Sequence, residues 1–377
     1  MTSGFPTYRN VSSMRRAISA GLVLFAAYGT AVAQKGPALR DAPPSTVERR
    51  EPPAGAGKDA STGEQFDRKL MLEYQRDVDM ARIRRAHLLD RTAEMERLLR
   101  DFSGKYPTDK DREYHYYTGL VLSAAGEYRR AVESFLKAIE IAPDYARARN
   151  SLGALYCRLN KYHFALVHFR KALEINPYNP FLQYNLGSLY FEIGDPANAR
   201  VHLENAVKYK ANFGNAYHRL GVLAFQTQQY ERTIEYMAKA IEFRTESHTT
   251  HYYTGMSYFS LEKGSMALAS LRKALQIKPD FFEAAFDLAR VHHSYGEFAN
   301  ALEFYRKADA LNPDYPEIKL AIVECLRELK RYREGVALVR QLLERDPQNE
   351  RLRRYLKNLQ DQRLIENLAE PYDYFTY

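Results

Sequence analysis

The chain has 377 residues, of which 45% are hydrophobic and 13% aromatic, and it carries a formal charge of +8. This balance excludes a wholly disordered chain and suits a folded, helix-rich protein; the charge is too modest to point to nucleic acid. Length alone suggests two or three domains of ~150 residues, although an architecture that grows by repetition escapes that rule.

Met1–Ser13 shows no periodicity. Met14–Arg15–Arg16 then supplies positive charge, Ala17–Tyr28 is an apolar run, and Ala31–Val32–Ala33 is a small-x-small site. These are the three parts of a secretory signal, so residues 1–33 are expected to be a signal peptide cleaved after Ala33, with Met14 as an alternative start. A periplasmic or secreted location follows; an uncleaved anchor is the competing reading. The apolar run falls short of the ~20 residues of a spanning helix, so no transmembrane span is expected. No cysteine follows the site to carry a lipid. Loss of Arg9, Arg15 and Arg16 leaves the mature chain at +5.

Residues 34–63 are rich in Pro, Ala, Gly and charge, and are expected to form a disordered linker. Residues 64–111 change character. Phe66, Leu70, Leu72, Tyr74, Val78 and Ile83 recur loosely at helical spacing, and Ala93, Leu98, Leu99 and Phe102 precede Pro107. A helical N-terminal cap or degenerate repeat is predicted there.

From Arg112 to Asn349 the sequence repeats every 34 residues without insertion or deletion, in blocks 112–145, 146–179, 180–213, 214–247, 248–281, 282–315 and 316–349. A fixed period of this size means stacked units in a solenoid. In the second block Leu152, Gly153 and Tyr156 share one face of a first helix, and Ala165, Phe169 and Ala172 share one face of a second. Leu159–Asn160–Lys161 makes the turn between them. Pro177 stops the second helix because it lacks a backbone donor. The small residues mark where the two helices approach closely, and Tyr156 and Phe169 fill the space left over. The eighth position reads Gly119, Gly153, Gly187, Gly221 and Gly255, then Ala289 and Val323. Proline closes five of the seven blocks; Ala211 and Thr245 stand at that place in the third and fourth. Residues 350–367 are predicted to be a capping helix, and residues 368–377 an acidic, aromatic tail.

This pattern resembles the tetratricopeptide repeat (TPR) family over Arg112–Asn349, about two thirds of the chain. It departs in lacking tryptophan at the fourth position, which varies in the family; His115, Arg149, Gln183, Tyr217, His251, Ala285 and Lys319 stand there. The resemblance implies an all-α fold, a right-handed superhelical solenoid of about seven to eight helix-turn-helix repeats with helical caps. It also implies that first helices line the inner surface, with the second, fifth, ninth and twelfth positions facing the groove. On that reading the middle of the groove is aromatic: Phe181, Tyr184, Phe191, Phe225, Tyr252, Phe259 and Phe286, with Asn185, His218 and Arg219 among them. Such a groove suits an extended peptide or an amphipathic helix of a partner protein. In this family aromatics at the fifth and twelfth positions also serve packing alone. Chaperone-binding members clamp a carboxylate with Lys, Asn and Arg of three successive repeats. Asn185 and Arg219 match two of those positions, but Asn150, Ala154 and Asn215 fail the others, so a full clamp is not expected. Asn185 is expected to bond backbone within the stack.

No Gly-rich phosphate loop, nucleophile elbow or HExxH motif occurs, so no catalytic residues and no cofactor are assigned. His248 and His251 lie three apart and His292 adjoins His293, but no carboxylate or thiol completes a metal set. His251 and His292 are read as packing residues. Cys157 and Cys325 stand five repeats apart, beyond disulfide reach, and are expected to be reduced. Arg82, Arg84 and Arg85, like Arg351, Arg353 and Arg354, alternate with acids and are read as solvated helix faces, so no nucleic acid is expected. The functional expectation is a non-catalytic protein–protein interaction scaffold exported to the cell envelope. The alternative is an accessory subunit of an envelope polysaccharide or glycosyl-transfer complex. Oligomeric state is left open.

Overall fold

The computed structural model describes the backbone of residues 60–369 except 314, and the side chains of residues 68–362 except 314 and 316. The expected signal, most of the expected linker and all but the start of the tail lie outside the described residues. Among the described residues all regular structure is α-helical. The described residues fall into two compact units that divide between Tyr209 and Lys210.

The first unit holds α1 (Ala60–Leu88), α2 (Thr92–Lys105), α3 (Arg112–Ala124), α4 (Tyr128–Ile141), α5 (Ala146–Arg158), α6 (Tyr162–Ile175), α7 (Pro180–Glu192) and α8 (Pro196–Tyr209). Helix α1 begins inside the stretch expected to be linker, and the C-terminal helix of the second unit runs to Ala369 rather than 367. The pairs α3–α4, α5–α6 and α7–α8 are the first three blocks. Their spacing follows from the close contacts at the eighth position. A methyl built on Gly153 would stand 2.7 Å from Cε1 of Phe169, and one on Gly119 the same distance from Cε1 of Phe135. On Gly187 it would stand 2.9 Å from Cγ of Leu203. Only glycine admits these large side chains so close to the first-helix backbone. Ala131, Ala138, Ala165, Ala172, Ala199 and Ala206 are all fully buried along the second helices.

The helices turn through a left-handed residue at the fifteenth position: Gly126 (φ 82°), Asn160 (φ 57°) and Gly194 (φ 80°). Around Asn160, Lys161 N–H donates to Tyr156 O at 2.8 Å and Asn160 N–H to Cys157 O at 3.0 Å, which satisfies the last carbonyls of α5. Asp90 (φ 55°) does the same between α1 and α2. That helix pair is fixed to the first block by Arg76–Asp111 and Arg84–Glu113, each 2.6 Å. Under it Asp79, 7% exposed, accepts from Tyr106 Oη at 3.0 Å and Lys105 Nζ at 3.2 Å.

The second unit holds α9 (Gly214–Gln226), α10 (Tyr230–Glu242), α11 (His248–Ser260), α12 (Gly264–Ile277), α13 (Phe282–Ser294), α14 (Phe298–Leu311), α15 (Pro316–Glu328), α16 (Tyr332–Arg345) and α17 (Glu350–Ala369). Gly221 and Gly255 again sit hard against Met237 and Leu271, a methyl on either falling 2.8 Å from them. The sixth block sets buried Ala289 and Tyr305 at these two positions, and the seventh sets Val323 and Val339. As the second-helix residue shrinks to valine, the first-helix residue grows. The fourth block lacks its closing proline. There Arg244 (φ 60°) ends α10, with Thr245 N–H donating to Ala240 O at 2.7 Å and Arg244 N–H to Ile241 O at 2.9 Å. Helix α17 covers the last block by laying Leu352 and Leu359 on Val323, Val336 and Val339.

Candidate functional site

The candidate site is the run of first helices in each unit. In the first unit α3 touches α5 and α5 touches α7, and in the second α9 touches α11 and α11 touches α13. Residues at one repeat position therefore form rows across neighbouring first helices. These helices start by different means. Asp111, Asn179 and Ser247 cap α3, α7 and α11 with side-chain oxygens, whereas Tyr145, Phe213, Phe281 and Tyr315 stand at the same place in other blocks. Tyr145, Phe281 and Tyr315 pack on the fifth-position ring of their own block. Ring centroids lie 5.4 Å apart for Tyr116–Tyr145, 5.2 Å for Tyr252–Phe281 and 5.5 Å for Phe286–Tyr315.

In the first unit, Phe181, Tyr184, Asn185 and Phe191 all lie on α7. Phe181 is 39% exposed, and the other three are half-buried. The backbone bond expected of Asn185 from its family position is replaced by a side-chain one. Its Nδ2 donates to Asn150 Oδ1 on α5 at 2.8 Å.

In the second unit the expected residues divide. Phe225 and Phe259 at the twelfth position, and Phe286, are half-buried. Tyr252 is only 3% exposed, and its hydroxyl donates to Asp287 Oδ2 at 2.7 Å. It serves the packing of α11 on α13 instead of standing open. Phe225 packs against Tyr253 at 5.2 Å and Tyr230 at 5.8 Å; Phe286 packs among Phe282, Tyr305 and Tyr315. His218 Nε2 lies 3.0 Å from Thr249 Oγ1. Burial, then the nearby Arg219 and His248, lower its pKa to about 4, so the ring is neutral at pH 7. Arg219 is half-buried and acts on Tyr253, whose phenol burial pushes up to about 12.

Sequence reasoning missed Asp287. It is 3% exposed, and Arg290 Nη1 lies 2.5 Å from its Oδ1. Burial raises its pKa, against the pull of Arg290 and of the Tyr252 hydroxyl. The available signal was an acid at the sixth position, where Tyr117, Ser151, Asn185, Arg219 and Tyr253 stand in the blocks before it.

The histidines behave as packing residues. His292 is fully buried, with Nδ1 2.5 Å from Glu297 Oε2, and its ring stacks on Phe304. His251 Nε2 lies 2.8 Å from Glu246 Oε1. Where tryptophan is absent at the fourth position, donors take up carbonyls: Arg149 bonds Pro143 O through two nitrogens, and Gln183 bonds Pro177 O at 3.0 Å. Both cysteines are free thiols, and burial raises each to about 12. Among the described residues no group of three or more His, Cys, Asp or Glu is gathered for a metal, and no helix is long and apolar enough to cross a membrane.

Helix pairs in strict 34-residue phase, with glycine-tight contacts and a row of half-buried aromatics, define a repeat solenoid of interaction-scaffold type. The chain belongs to the tetratricopeptide repeat family: models of that repeat match residues 119–160, 146–179, 168–201, 214–246, 254–316 and 293–359. No curated protein sequence matches it. Among solved structures it is similar to the APC/C hetero-tetramer Cut9-Hcn1, at TM-score 0.54 and 15% identity, over 66% of this chain and 49% of that one. The chain thus spans about half the length of that relative. It is also similar to the C-terminal part of a TPR repeat-containing protein from Cytophaga hutchinsonii, at TM-score 0.52 and 19% identity, over 64% of this chain and 99% of that one. YrrB, described as a TPR protein with an unusual peptide-binding site, is 27% identical over 46% of this chain and 90% of its own, at TM-score 0.41. At these identities the first two likenesses show the fold.

Proposed function

We propose that this chain is a non-catalytic scaffold of the cell envelope, exported by residues 1–33, that receives a peptide or helix of partner proteins along its first helices. Relatives of this fold are protein-interaction scaffolds. The observation that carries the reading is the pair of half-buried phenylalanines at the twelfth position on neighbouring first helices of the second unit, Phe225 on α9 and Phe259 on α11, a position that Phe191 fills in the first unit. Large rings kept partly in solvent on rigid helices are poor solvated surface and good anchors. The export reading rests on the charged, apolar and small-residue sequence of Met14–Ala33.

A pull-down with the wild-type chain and with a Phe181→Ala, Phe191→Ala, Phe259→Ala variant tests the groove. Partner recovery should fall at least ~tenfold, the loss of a few aromatic anchors. Equal recovery from a folded variant removes the groove. Fusing a periplasmic reporter after Asp59, just ahead of α1, tests export separately; a silent reporter ends that part.

A further inference from the structure

Where the N-terminal helix pair meets the first block, the first unit holds a cavity of about 360 Å³ that the first-helix rows do not use. One wall is α1, on which Arg76, Met80 and Arg84 recur every four residues and so share a face. The other wall runs from Lys110 to Glu113, across the start of α3. Ile141 and Ala142, at the end of α4, complete the lining. Met80 and Ala142 are both buried, so the cavity has a fixed apolar floor. Pockets that hold small ligands span about 300–1,000 Å³, so this one suits a guest the size of one or two side chains.

The charges around that floor are unevenly matched. Asp111 Oδ2 accepts from Arg76 Nη2 at 2.6 Å, while its Oδ1 accepts the N–H groups of Glu113 and Tyr114. Glu113 Oε2 accepts from Nε and Nη2 of Arg84 at 3.0 and 2.6 Å. Both acids are thus engaged, and both arginines are held in place. Lys110 and Arg112 also line the cavity, and neither has an ion pair among the described residues. The Arg112 guanidinium is steadied by the Tyr145 ring, 5.1 Å from its centroid. Against these two cations stands one further acid of the lining, Asp77, so the cavity keeps one positive charge in excess.

This chemistry selects the guest. An excess of one charge suits a monoanion, and Asp77 and Glu113 repel a second negative charge. The apolar floor gains from being covered by hydrocarbon. We infer that the cavity binds a carboxylate carried on a short apolar stem, its oxygens between Lys110 and Arg112 and its stem on Met80 and Ala142. Carboxylates are held by such groups through charge-assisted hydrogen bonds. Two sources offer this group: the end of a peptide whose last side chain is apolar, and a free short-chain acid. The cavity is separate from the first-helix rows, so it stands or falls independently of the groove.

The test titrates the full chain, isotope-labelled in its methionine methyl groups, with acetyl-alanyl-leucine and with isocaproate, read by NMR. The Met80 signal, identified through Met80→Leu, should shift and saturate with a Kd of about 0.1–1 mM, while Met237 of the second unit stays in place. The amide of the same dipeptide should bind at least ~tenfold more weakly than the acid, and so should the acid to Lys110→Gln/Arg112→Gln. Both substituted side chains are exposed, and an unmoved signal from buried Met95 checks that the variant folds. Inorganic phosphate, which has no stem, should leave Met80 in place. Whichever of the dipeptide and isocaproate binds more tightly names the source of the carboxylate. A Met80 signal that does not saturate by about 10 mM, an amide that binds as well as the acid, or a double variant that binds as well as the wild type overturns the assignment. Phosphate that saturates the Met80 shift overturns it in favour of a plain anion site.

Discussion

Gly153 lies so near Phe169 that one added methyl sets two opposed effects against each other. As alanine, its Cβ would stand 2.7 Å from Cε1 and 2.8 Å from Cδ1 of Phe169. Carbon pairs are most favourable at about 3.5–4.0 Å. Phe169 is 2% exposed and has no solvent to swing into. Overpacking of this kind costs about 1–3 kcal/mol. Against it, alanine in a helix interior gains about 1 kcal/mol over glycine. Gly153→Ala should therefore destabilise by about 0–2 kcal/mol, with its steric part hidden. A double-mutant cycle isolates that part. Phe169→Val alone leaves a void and should cost about 2–4 kcal/mol. Adding Gly153→Ala to that background keeps the helix gain and meets no ring. The coupling should favour the double variant by about 1–3 kcal/mol. The seventh block gives the precedent, since Val323 and Val339 occupy these two positions and are both fully buried. Repeats couple mainly to nearest neighbours, so the readout is hydrogen exchange of α5 and α6 amides, with α15 and α16 as the control. A cycle that closes within about 0.5 kcal/mol, or loosening that extends evenly to α16, would refute the reasoning.

Three further outcomes are expected. Burial, then Arg219 and His248, hold His218 at about 4, below its unfolded value, so the unfolded chain takes up the proton first as pH falls. Stability is then lost between about pH 6.5 and 4, by up to ~3 kcal/mol, and His218→Gln should narrow the gap in urea midpoint between pH 7 and 4.5. An unchanged gap would show that this ring is not the one titrating. Burial raises Asp287 despite Arg290 and Tyr252, so its contribution is full below the ordinary carboxylate range and fades as pH rises through the folded value. Asp287→Asn should remove that fade from the exchange of α11 and α13 amides; an NMR titration placing the Asp287 carboxyl below 3.8 would contradict it. Asn185→Ala removes the 2.8 Å bond to Asn150 and should cost about 1 kcal/mol, read as faster exchange in α5 and α7 with α3 unchanged.

The sequence period made the helix pairs legible, because a strict 34-residue phase places small residues at the eighth, twentieth and twenty-seventh positions and turns between them. The turn geometry was only partly legible. Gly126, Gly194, Gly296 and Asn160 announce a left-handed residue, but Gln228, Glu262 and Lys330 adopt the same conformation with no local signal. Packing of the flanking helices imposes it there, at a cost of roughly 1–2 kcal/mol each. The start of α1 was misplaced because Ala60–Gly63 is compositionally linker, yet it continues a helix anchored downstream by Asp79 and Tyr106. The groove was legible as a set of positions. Which of its residues remain open was not, because that depends on partners one repeat away.

Those partners recur, although His218 at the fifth position meets Thr249 at the second position of the next block. The fifth position of one block bonds the sixth of the next, 35 residues on: Asn150 with Asn185, and Tyr252 with Asp287. Tyr116 pairs with Ser151 in the same way. Each bond ties two successive first helices together within its unit. The fifth-position ring is also pressed by the aromatic residue at the end of its block, as Tyr252 is by Phe281. A residue held from both sides has little freedom to meet a ligand, and truncating it loosens the stack. At the second and twelfth positions Phe181, Phe191, Phe225 and Phe259 keep part of their rings in solvent, Phe225 while packing on Tyr253 of the next block. Fifth-position substitutions should therefore change stability and binding together, whereas twelfth-position substitutions should change binding with little change in hydrogen exchange. If Phe259→Ala loosened α11 as much as Tyr252→Phe, the twelfth row would belong to the core and the binding face would have to lie elsewhere.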